Sequence, residues 1–406
     1  MAEKILIISP ITIIPYHSGN RKRIRTVCSE LMNMGYELDF FYTGFDETID
    51  PEHVKFFNGR VLSHQIGNDK SSFFEAPLLR VSEIINGFKI KWEKLNRRVV
   101  DGIDSAKYNK SLTEYKNIRK IRLLQSEVDQ VQYRAVIVNY SVYSFYFRLF
   151  NQHTKKILDT HDCLSDRYKL FLKNGKKPVE WYSLRFQDEE KAISLADIVW
   201  AITADEQGHY KKMAQKKSVD VLNLRHLVSF KHVQSDGPSK RLLLIGSDNH
   251  LNLDGLHWFV EKVWPTLYSI HSDAELMVAG SLCRFEDQFD SYSGITFYGR
   301  YENETEIYSK ADICINPMQD GTGLKIKTLE ALAHGKWVVS TYEGGSGLKD
   351  MIHNGLYCSD DPKEWIDVLD AAFKKSQRVD ERIIKTKSAI DKIYRENLTI
   401  MEKSLR

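Results

Sequence analysis

The sequence predicts an α/β protein of at least two domains, in which short apolar strands alternate with helices. Three observations carry this. The chain has 406 residues, more than a single hydrophobic core usually serves. Its opening reads as strand, helix, strand: Lys4 to Ser9, then Arg21 to Met34 closed by Gly35, then Glu37 to Thr43. The alternation resumes at Arg241, after a turn-rich stretch Asp236-Gly237-Pro238-Ser239 that reads as a linker.

Composition bounds the function classes. Hydrophobic residues make up 42% and charged residues 28%, the balance of a globular chain rather than a disordered one. A net charge of +3 gives no argument for nucleic acid. Cys28, Cys163, Cys283, Cys314 and Cys358 are odd in number, widely spaced and without zinc-type partners, which points to a reducing cytoplasm. The run Ile5 to Ile14 is broken by Pro10 and is too short to span a bilayer, so it reads as the first strand rather than a signal peptide.

Along the chain, Pro15 to Asn20 is a loop entering the first helix. Arg80 to Asp129 reads as helices, with Ile84, Ile85, Phe88, Trp92, Leu95 and Val99 on one stripe and Lys89, Lys91, Lys94, Arg97 and Arg98 off it. Two readings stay open: a core helix with a solvated face, or a basic amphipathic helix lying on an anionic membrane through residues 80–100. Ala135 to Asn139 is a buried strand, and Lys156 to Asp159 is another that runs into Thr160-His161-Asp162. Ligands gather at the carboxyl ends of parallel strands, which makes His161 a site candidate against the structural role a lone histidine usually has. Trp181 to Leu195 is a charged helix, Ala196 to Thr203 a strand, and Asp205-Glu206 begins the next helix. Beyond the linker come the strand Arg241 to Gly246, a helix from Leu256 to about Ile270 interrupted or kinked at Pro265, and strands at Glu275 to Gly280, Thr296 to Gly299 and Asp312 to Asn316. The tail, Asp380 to Arg406, is one long helix.

The stretch from Asn316 to Thr341 concentrates the chemistry. A strand ending at Asn316 leads into Asp320-Gly321-Thr322-Gly323-Leu324-Lys325, then a helix from Thr328 to His334 stopped by Gly335, then the strand Trp337 to Thr341. Glycines at the carboxyl end of a parallel strand let backbone amides approach an anion, and Lys325 and Lys327 add charge there. Glu330, one turn into the helix, is placed to meet a ribose diol beside that anion. Phosphate with ribose means a nucleotide. A glycine turn opening a helix is also common in any α/β protein, and the following Glu343-Gly344-Gly345-Ser346-Gly347 turn is open to both readings.

The whole pattern, Gly321-x-Gly323-x-Lys325-x-Lys327-x-x-Glu330-Ala331, resembles the donor-sugar signature of retaining GT-B glycosyltransferases of family 4, group 1. Asp159-Thr160-His161-Asp162 with Arg167 is similar to the segment where that family places a histidine beside the transferred sugar, and residues 196–206 resemble the segment closing its amino-terminal domain. The resemblance implies two doubly wound Rossmann-like domains facing across a cleft: 1–225, completed by a helix at about 380–406, and 226–379. It implies donor contacts at Gly19, Gly246, Gly321, Thr322, Gly323, Leu324, Lys325, Lys327 and Glu330, with catalytic roles for His161 and Asp320.

The chain departs from that pattern in three places. Ser18-Gly19-Asn20 replaces paired glycines in the first loop. Ser247, Asp248, Asn249 and His250 stand where many members carry an arginine and a lysine, which shifts phosphate neutralisation onto Lys325 and Lys327. The paired-glutamate motif lacks its first glutamate: Thr322 occupies that position, so either Asp320 or the backbone of Gly321 to Gly323 meets the sugar.

Arg21, Lys22, Arg23 and Arg25 crowd the start of the first long helix, where cations oppose the helix dipole. Arg21 and Arg25 share a face, so they are expected either to hold an acceptor or donor phosphate or to be a solvated basic helix start, the unliganded fold having no stability reason to place them there.

The function expected is transfer of a sugar from a nucleotide-diphosphate sugar to a glycan, lipid-linked or protein acceptor hydroxyl with retained configuration. No cofactor is expected, and the sequence holds no Asp-x-Asp metal motif. The expected setting is cytoplasmic, with peripheral contact at the inner face of the membrane. The alternatives are a GT-B nucleotide-sugar 2-epimerase and a non-catalytic two-lobed binding protein.

Overall fold

The computed structural model describes residues 2–15, 18–44, 49–62, 76–173, 175, 183–215, 218–236, 240–321, 323–374 and 379–406. Thr322, Trp181 and residues 237–239 of the expected linker lie outside them. The chain divides into two compact units, Met1–Leu224 with Thr399–Arg406, and Arg225–Leu398.

The first unit is built on β1 (Lys4–Ser9), α1 (Gly19–Asn33), β2 (Glu37–Tyr42), α2 (Pro51–Phe56), β3 (Val61–Leu62), α3 (Ala76–Val100), α4 (Ile103–Tyr108), α5 (Ile118–Val128), β4 (Ala135–Asn139), β5 (Lys155–Asp159), α6 (Tyr168–Lys173), α7 (Phe186–Ile193), β6 (Ile198–Ala201), α8 (Ala204–Ala214) and β7 (Asp220–Asn223). The strands pair in parallel in the order β3-β2-β1-β4-β5-β6-β7. β1 and β4 are buried along nearly their whole length, as the central strands of a sheet covered on both faces must be, and this is why they read as unbroken apolar runs.

The second unit comprises β8 (Arg241–Ile245), α9 (His250–Lys262), α10 (Trp264–Ile270), β9 (Glu275–Ala279), β10 (Ile295–Gly299), α11 (Glu304–Tyr308), β11 (Ile313–Asn316), α12 (Ile326–Ala333), β12 (Trp337–Ser340), β13 (Leu356–Cys358) and α13 (Pro362–Lys374). Its parallel sheet runs β10-β9-β8-β11-β12-β13. Apolar clusters cover both faces, one around Leu243, Leu329 and Leu332 and the other around Leu244, Phe259 and Trp365. The long helix α14 (Val379–Leu405) starts in the second unit, and its last residues belong to the first. There the buried Trp200 donates Nε1–H to Ser404 Oγ at 2.9 Å, and Arg134 donates to the Leu405 carbonyl at 2.6 Å.

In both sheets the winding reverses once, between β1 and β4 and between β8 and β11. Such a reversal splays the connections apart and leaves a crevice beyond the carboxyl ends of the two strands.

Two elements differ from the sequence expectation. The helix expected from Leu256 begins earlier, at His250, where Asn249 caps α9 by accepting from Asn252 N–H at 3.0 Å; its expected interruption is present, with Pro265 in the first turn of α10. The stripe of α3 does not enter the core: Ile84, Ile85, Phe88, Trp92, Leu95 and Val99 are 57–77% exposed. The reading of α3 as a core helix is thereby corrected. Its inward face is polar, with Arg97 on Glu114 at 2.8 Å, Glu83 on Arg119 at 2.9 Å and Glu93 accepting from Thr113 at 3.0 Å.

Candidate active site

In the second unit the candidate site is the switch point between β8 and β11. Asn316 ends β11 and donates its amide to Thr328 Oγ1 and to the Gly344 carbonyl, both at 2.8 Å. Thr328 also donates to that carbonyl at 2.7 Å, and Thr341 donates to the Met318 carbonyl while accepting from Gly344 N–H at 2.9 Å. The loops after β11 and β12 are thus sewn into one rigid wall. Gly344 is required there, since a Cβ would stand 2.2 Å from the Asn316 carbonyl oxygen. Gly323 turns with φ +71°, the left-handed region that glycine enters at little cost.

On this wall Lys327 Nζ donates to Asn252 Oδ1 at 2.6 Å. Asn252 lies in the first turn of α9, and its own amide donates to the Ser247 carbonyl and hydroxyl at 3.0 Å each. The two sides of the switch point are therefore joined through one ammonium. Burial, and then the charge of Lys325, pull the Lys327 ammonium down to about 7. Lys325 pairs with Glu343 Oε1 at 2.6 Å, and a Cβ on Gly321 would lie 2.9 Å from Lys325 Nζ, so the glycine leaves room for that cation. Glu330 is buried on α12 close to Tyr308, whose phenol is held well above its ordinary value by burial and then by the Glu330 charge.

Of the other expected donor residues, Leu324 packs on the core. Gly246 uses its N–H on the Ala279 carbonyl at 2.9 Å and its carbonyl on Leu282 N–H at 3.1 Å. A Cβ there would meet Leu282 Cδ2 at 2.9 Å, a contact that a shift of the leucine side chain relieves. Asp320 is half-buried in the loop, two residues past the Met318 carbonyl that anchors it to Thr341. Thr322 lies outside the described residues. Sequence reasoning gave no role to Asn252 or Asn316, and it marked Glu343 only as part of a glycine-rich turn open to a ligand reading.

In the first unit, the switch-point strands end at Ser9 and Asn139, next to the end of β5. His161 has φ +61°, and its Nε2 lies 2.8 Å from Asn139 Oδ1 and 3.8 Å from Asp159 Oδ2. Its ring stacks on Tyr140 at 4.3 Å, and Tyr140 OH accepts from the Asn20 amide at 3.0 Å. Burial pulls His161 down to about 4, against the opposing pull of Asp159, so it is neutral at pH 7 with Nε2–H donating to Asn139.

The basic start of α1 has a structural cause that the sequence did not show. Arg23 is buried and forks onto Asp159, with Nη2 to Oδ1 at 2.7 Å and Nε to both oxygens at 2.9 and 3.0 Å. Arg21 Nη1 donates to the carbonyls of Thr12 and Ile14 at 3.0 and 2.6 Å and to Thr12 Oγ1, bracing the loop after β1. Arg25 lies 5.0 Å over the Phe56 ring. The expectation that these cations lack a stability reason is corrected: Arg21, Arg23 and Arg25 each have a partner in the fold. Gly19 opens α1 and is half-buried.

Among the described residues one grouping has metal-ligand character, Cys163, Glu189 and His209, with ligand atoms within 4.8 Å of one another. The buried Glu189 already accepts from Ser141 at 3.0 Å, Leu164 N–H at 3.1 Å and Ser165 at 2.5 Å, and burial holds the Cys163 thiol up. This donor set fits a strut for the loop after His161 rather than an ion.

Residues 239–375 match the model of a family described as Glycosyl transferases group 1. The "Uncharacterized 44.6 kDa protein in cps region" of Klebsiella pneumoniae is 25% identical over 366 residues, which cover 85% of this chain and 84% of that protein. Among solved structures, TarM superposes with a TM-score of 0.68 at 10% identity, covering 100% of this chain and 99% of that one. Sucrose-phosphate synthase from Thermosynechococcus elongatus gives 0.67 at 14% identity, covering 99% and 98%. The pneumococcal O-GlcNAc transferase GtfA, solved with UDP and GlcNAc, gives 0.64 at 10% identity, covering 100% and 98%. The fold is GT-B, two Rossmann-like units, and the family match over the second unit supports a glycosyltransferase.

Proposed function

We propose that the chain is a retaining, family 4 type glycosyltransferase that moves a sugar from a nucleotide-diphosphate sugar to an acceptor hydroxyl in surface polysaccharide synthesis. The observation that carries it is the Lys327–Asn252 contact at 2.6 Å, which fixes an amine that an anion would protonate over the switch point of the unit bearing the group 1 match, with Lys325 beside it. Fixed cations and amide dipoles at a developing diphosphate are what glycosyl transfer requires of a site. The Klebsiella relative from a cps region favours a polysaccharide acceptor, and UDP is the first nucleotide to try because GtfA was solved with it.

In this reading Lys325 and Lys327 hold the diphosphate, Glu330 the ribose, and Asp320 or the loop backbone the sugar, with His161 as the group from the first unit. The bond from the anomeric carbon to phosphate oxygen breaks while the acceptor oxygen bonds on the same face, and the acceptor proton passes to the departing phosphate. The reaction needs no cofactor or metal. The reading places the enzyme in the cytoplasm; no helix among the described residues is long and apolar enough to cross a membrane.

The test is a nucleotide and nucleotide-sugar thermal-shift panel, followed by transfer assays with the best donor and anomeric assignment of the product by NMR. Glu330→Ala should weaken nucleotide-sugar binding by about 1.5–3 kcal/mol, the range for a hydrogen bond to a charged group. Unchanged nucleotide affinity in a folded variant overturns the ribose role, and an inverted product overturns retention.

A further inference from the structure

The helix α3 is amphipathic in the reverse sense to a helix that helps build a core. At 100° per residue, Ile84, Ile85, Phe88, Trp92, Leu95 and Val99 fall on one arc, and all are 57–77% exposed. The opposite arc, turned into the unit, carries Glu83, Asn86, Ile90, Glu93 and Arg97, of which Arg97 is 1% exposed and ion-paired to Glu114 at 2.8 Å. A helix normally buries its apolar arc, because apolar side chains left in water forfeit the stabilisation of burial. Here the polar arc is held inside by specific bonds to the 3-10 turn at Leu112–Tyr115 and to α5, so the outward arc has been left for something else.

The charges show what that is. Arg80, Lys91, Lys94 and Arg98 line one margin of the exposed arc and Lys89 the other, all exposed. Of the two acids among the described residues of the helix, Glu83 pairs with Arg119, and Glu93 accepts from Thr113 and lies 4.0 Å from Lys89. Just past the helix, Ile103 is 67% exposed and continues the apolar character. An apolar arc with a tryptophan at its middle and the four cations Arg80, Lys91, Lys94 and Arg98 along one margin is the surface that lies in a headgroup region, with side chains at the acyl boundary and lysines at the phosphates.

We infer that α3 is a membrane-surface helix that docks the first unit on an anionic bilayer through Phe88, Trp92 and their neighbours. The inference stands apart from the transferase reading, since docking needs no turnover. The four cations along one margin, Arg80, Lys91, Lys94 and Arg98, favour a continuous anionic surface beside the apolar arc.

The experiment is co-sedimentation of the full chain with vesicles of phosphatidylcholine alone and of phosphatidylcholine mixed with phosphatidylglycerol. Binding is expected to the mixed vesicles and to fall with added salt. Phe88→Glu with Trp92→Glu should lower the partition coefficient by about tenfold or more, because two apolar contacts are lost and two repelled charges are added. Lys91→Glu with Lys94→Glu should weaken binding to mixed vesicles and leave the weak binding to phosphatidylcholine alone unchanged. Because these side chains point outward, circular dichroism and the urea midpoint should match wild type. Equal binding to both vesicle types, binding indifferent to the Phe88 and Trp92 changes, or no binding overturns the inference. So does a concentration-dependent dimer that the Phe88 and Trp92 changes dissolve while vesicles are not bound, which would give the arc to a second copy of the chain.

Discussion

Lys325 Nζ lies 2.6 Å from Glu343 Oε1, so the ammonium proposed to hold the diphosphate meets a carboxylate from the neighbouring loop. The lysine side chain is 6% exposed and the glutamate 29%, which makes the glutamate the partner that can swing away. A diphosphate and this carboxylate compete for one cation.

Glu343→Gln should therefore tighten nucleoside diphosphate binding, by about three- to tenfold, the size of one modest hydrogen-bond exchange. The amide keeps the shape of the loop and can still accept from Lys325, but it no longer repels phosphate. Calorimetry returning equal or weaker affinity would mean that the diphosphate does not displace Glu343.

The second prediction follows from Lys327, lowered to about 7 by burial and then by Lys325. An unfolded lysine titrates near 10.5 and the folded one near 7, so between those values the unfolded chain holds more protons and stability rises with pH. A bound diphosphate favours the charged form. Binding at about pH 8 should take up close to one proton, and affinity should fall as pH rises through that range. Calorimetry in buffers of different ionisation enthalpy reads the uptake directly, and Lys327→Met should abolish it. A proton-neutral binding reaction in the wild type would remove Lys327 from the diphosphate site.

The two-unit α/β architecture was legible because its central strands are apolar runs, and the alternation with helices left few topologies. The edges were not: β3, β7 and β13 have two, four and three residues, too short to show a period. For α3 the period was plain but its direction was not, since a stripe looks the same whether it faces core or solvent. In the candidate site, glycines and lysines close together in sequence were readable as a loop. The contacts that organise it join residues far apart, Lys327 with Asn252 across 75 positions and Arg23 with Asp159 across 136, and no local signal announces either. The crowded cations of α1 misled for the same reason: their partners lie elsewhere in the chain.

His161 supplies the third prediction. Held near 4 by burial, it should stay neutral from pH 8 down to about 5, and its ring nitrogens should show no titration by NMR in that interval. The unfolded histidine titrates at its ordinary 6.5, so protons favour the unfolded chain between 6.5 and 4 and stability falls as pH drops through that window. His161→Ala should lower turnover while leaving nucleotide affinity nearly intact, because the donor groups belong to the second unit. A folded variant with normal turnover would leave His161 as a structural residue that stacks on Tyr140 and bonds Asn139.

The last prediction concerns Glu206, which is raised to about 7 by burial and then by Asp162. It opens α8 in a reciprocal cap: Thr203 Oγ1 accepts from Glu206 N–H at 3.1 Å, and Glu206 Oε2 accepts from Ile202 N–H at 3.3 Å. An unfolded glutamate titrates near 4.5, so between 4.5 and 7 the folded chain holds the extra proton, and stability falls as pH rises through that window. Above it the buried charge is a constant cost. Glu206→Gln keeps an acceptor for the Ile202 amide and removes the charge, so it should be more stable than wild type at pH 8, by about 1–3 kcal/mol, a tenfold change in a protonation equilibrium being worth roughly 1.4 kcal/mol. At about pH 5, where the wild-type group is protonated, the two should unfold at nearly the same urea concentration. A variant less stable than wild type at pH 8 would show that the α8 amino-terminus stabilises an ionised Glu206 by more than burial costs it, and the assigned protonation state would be wrong.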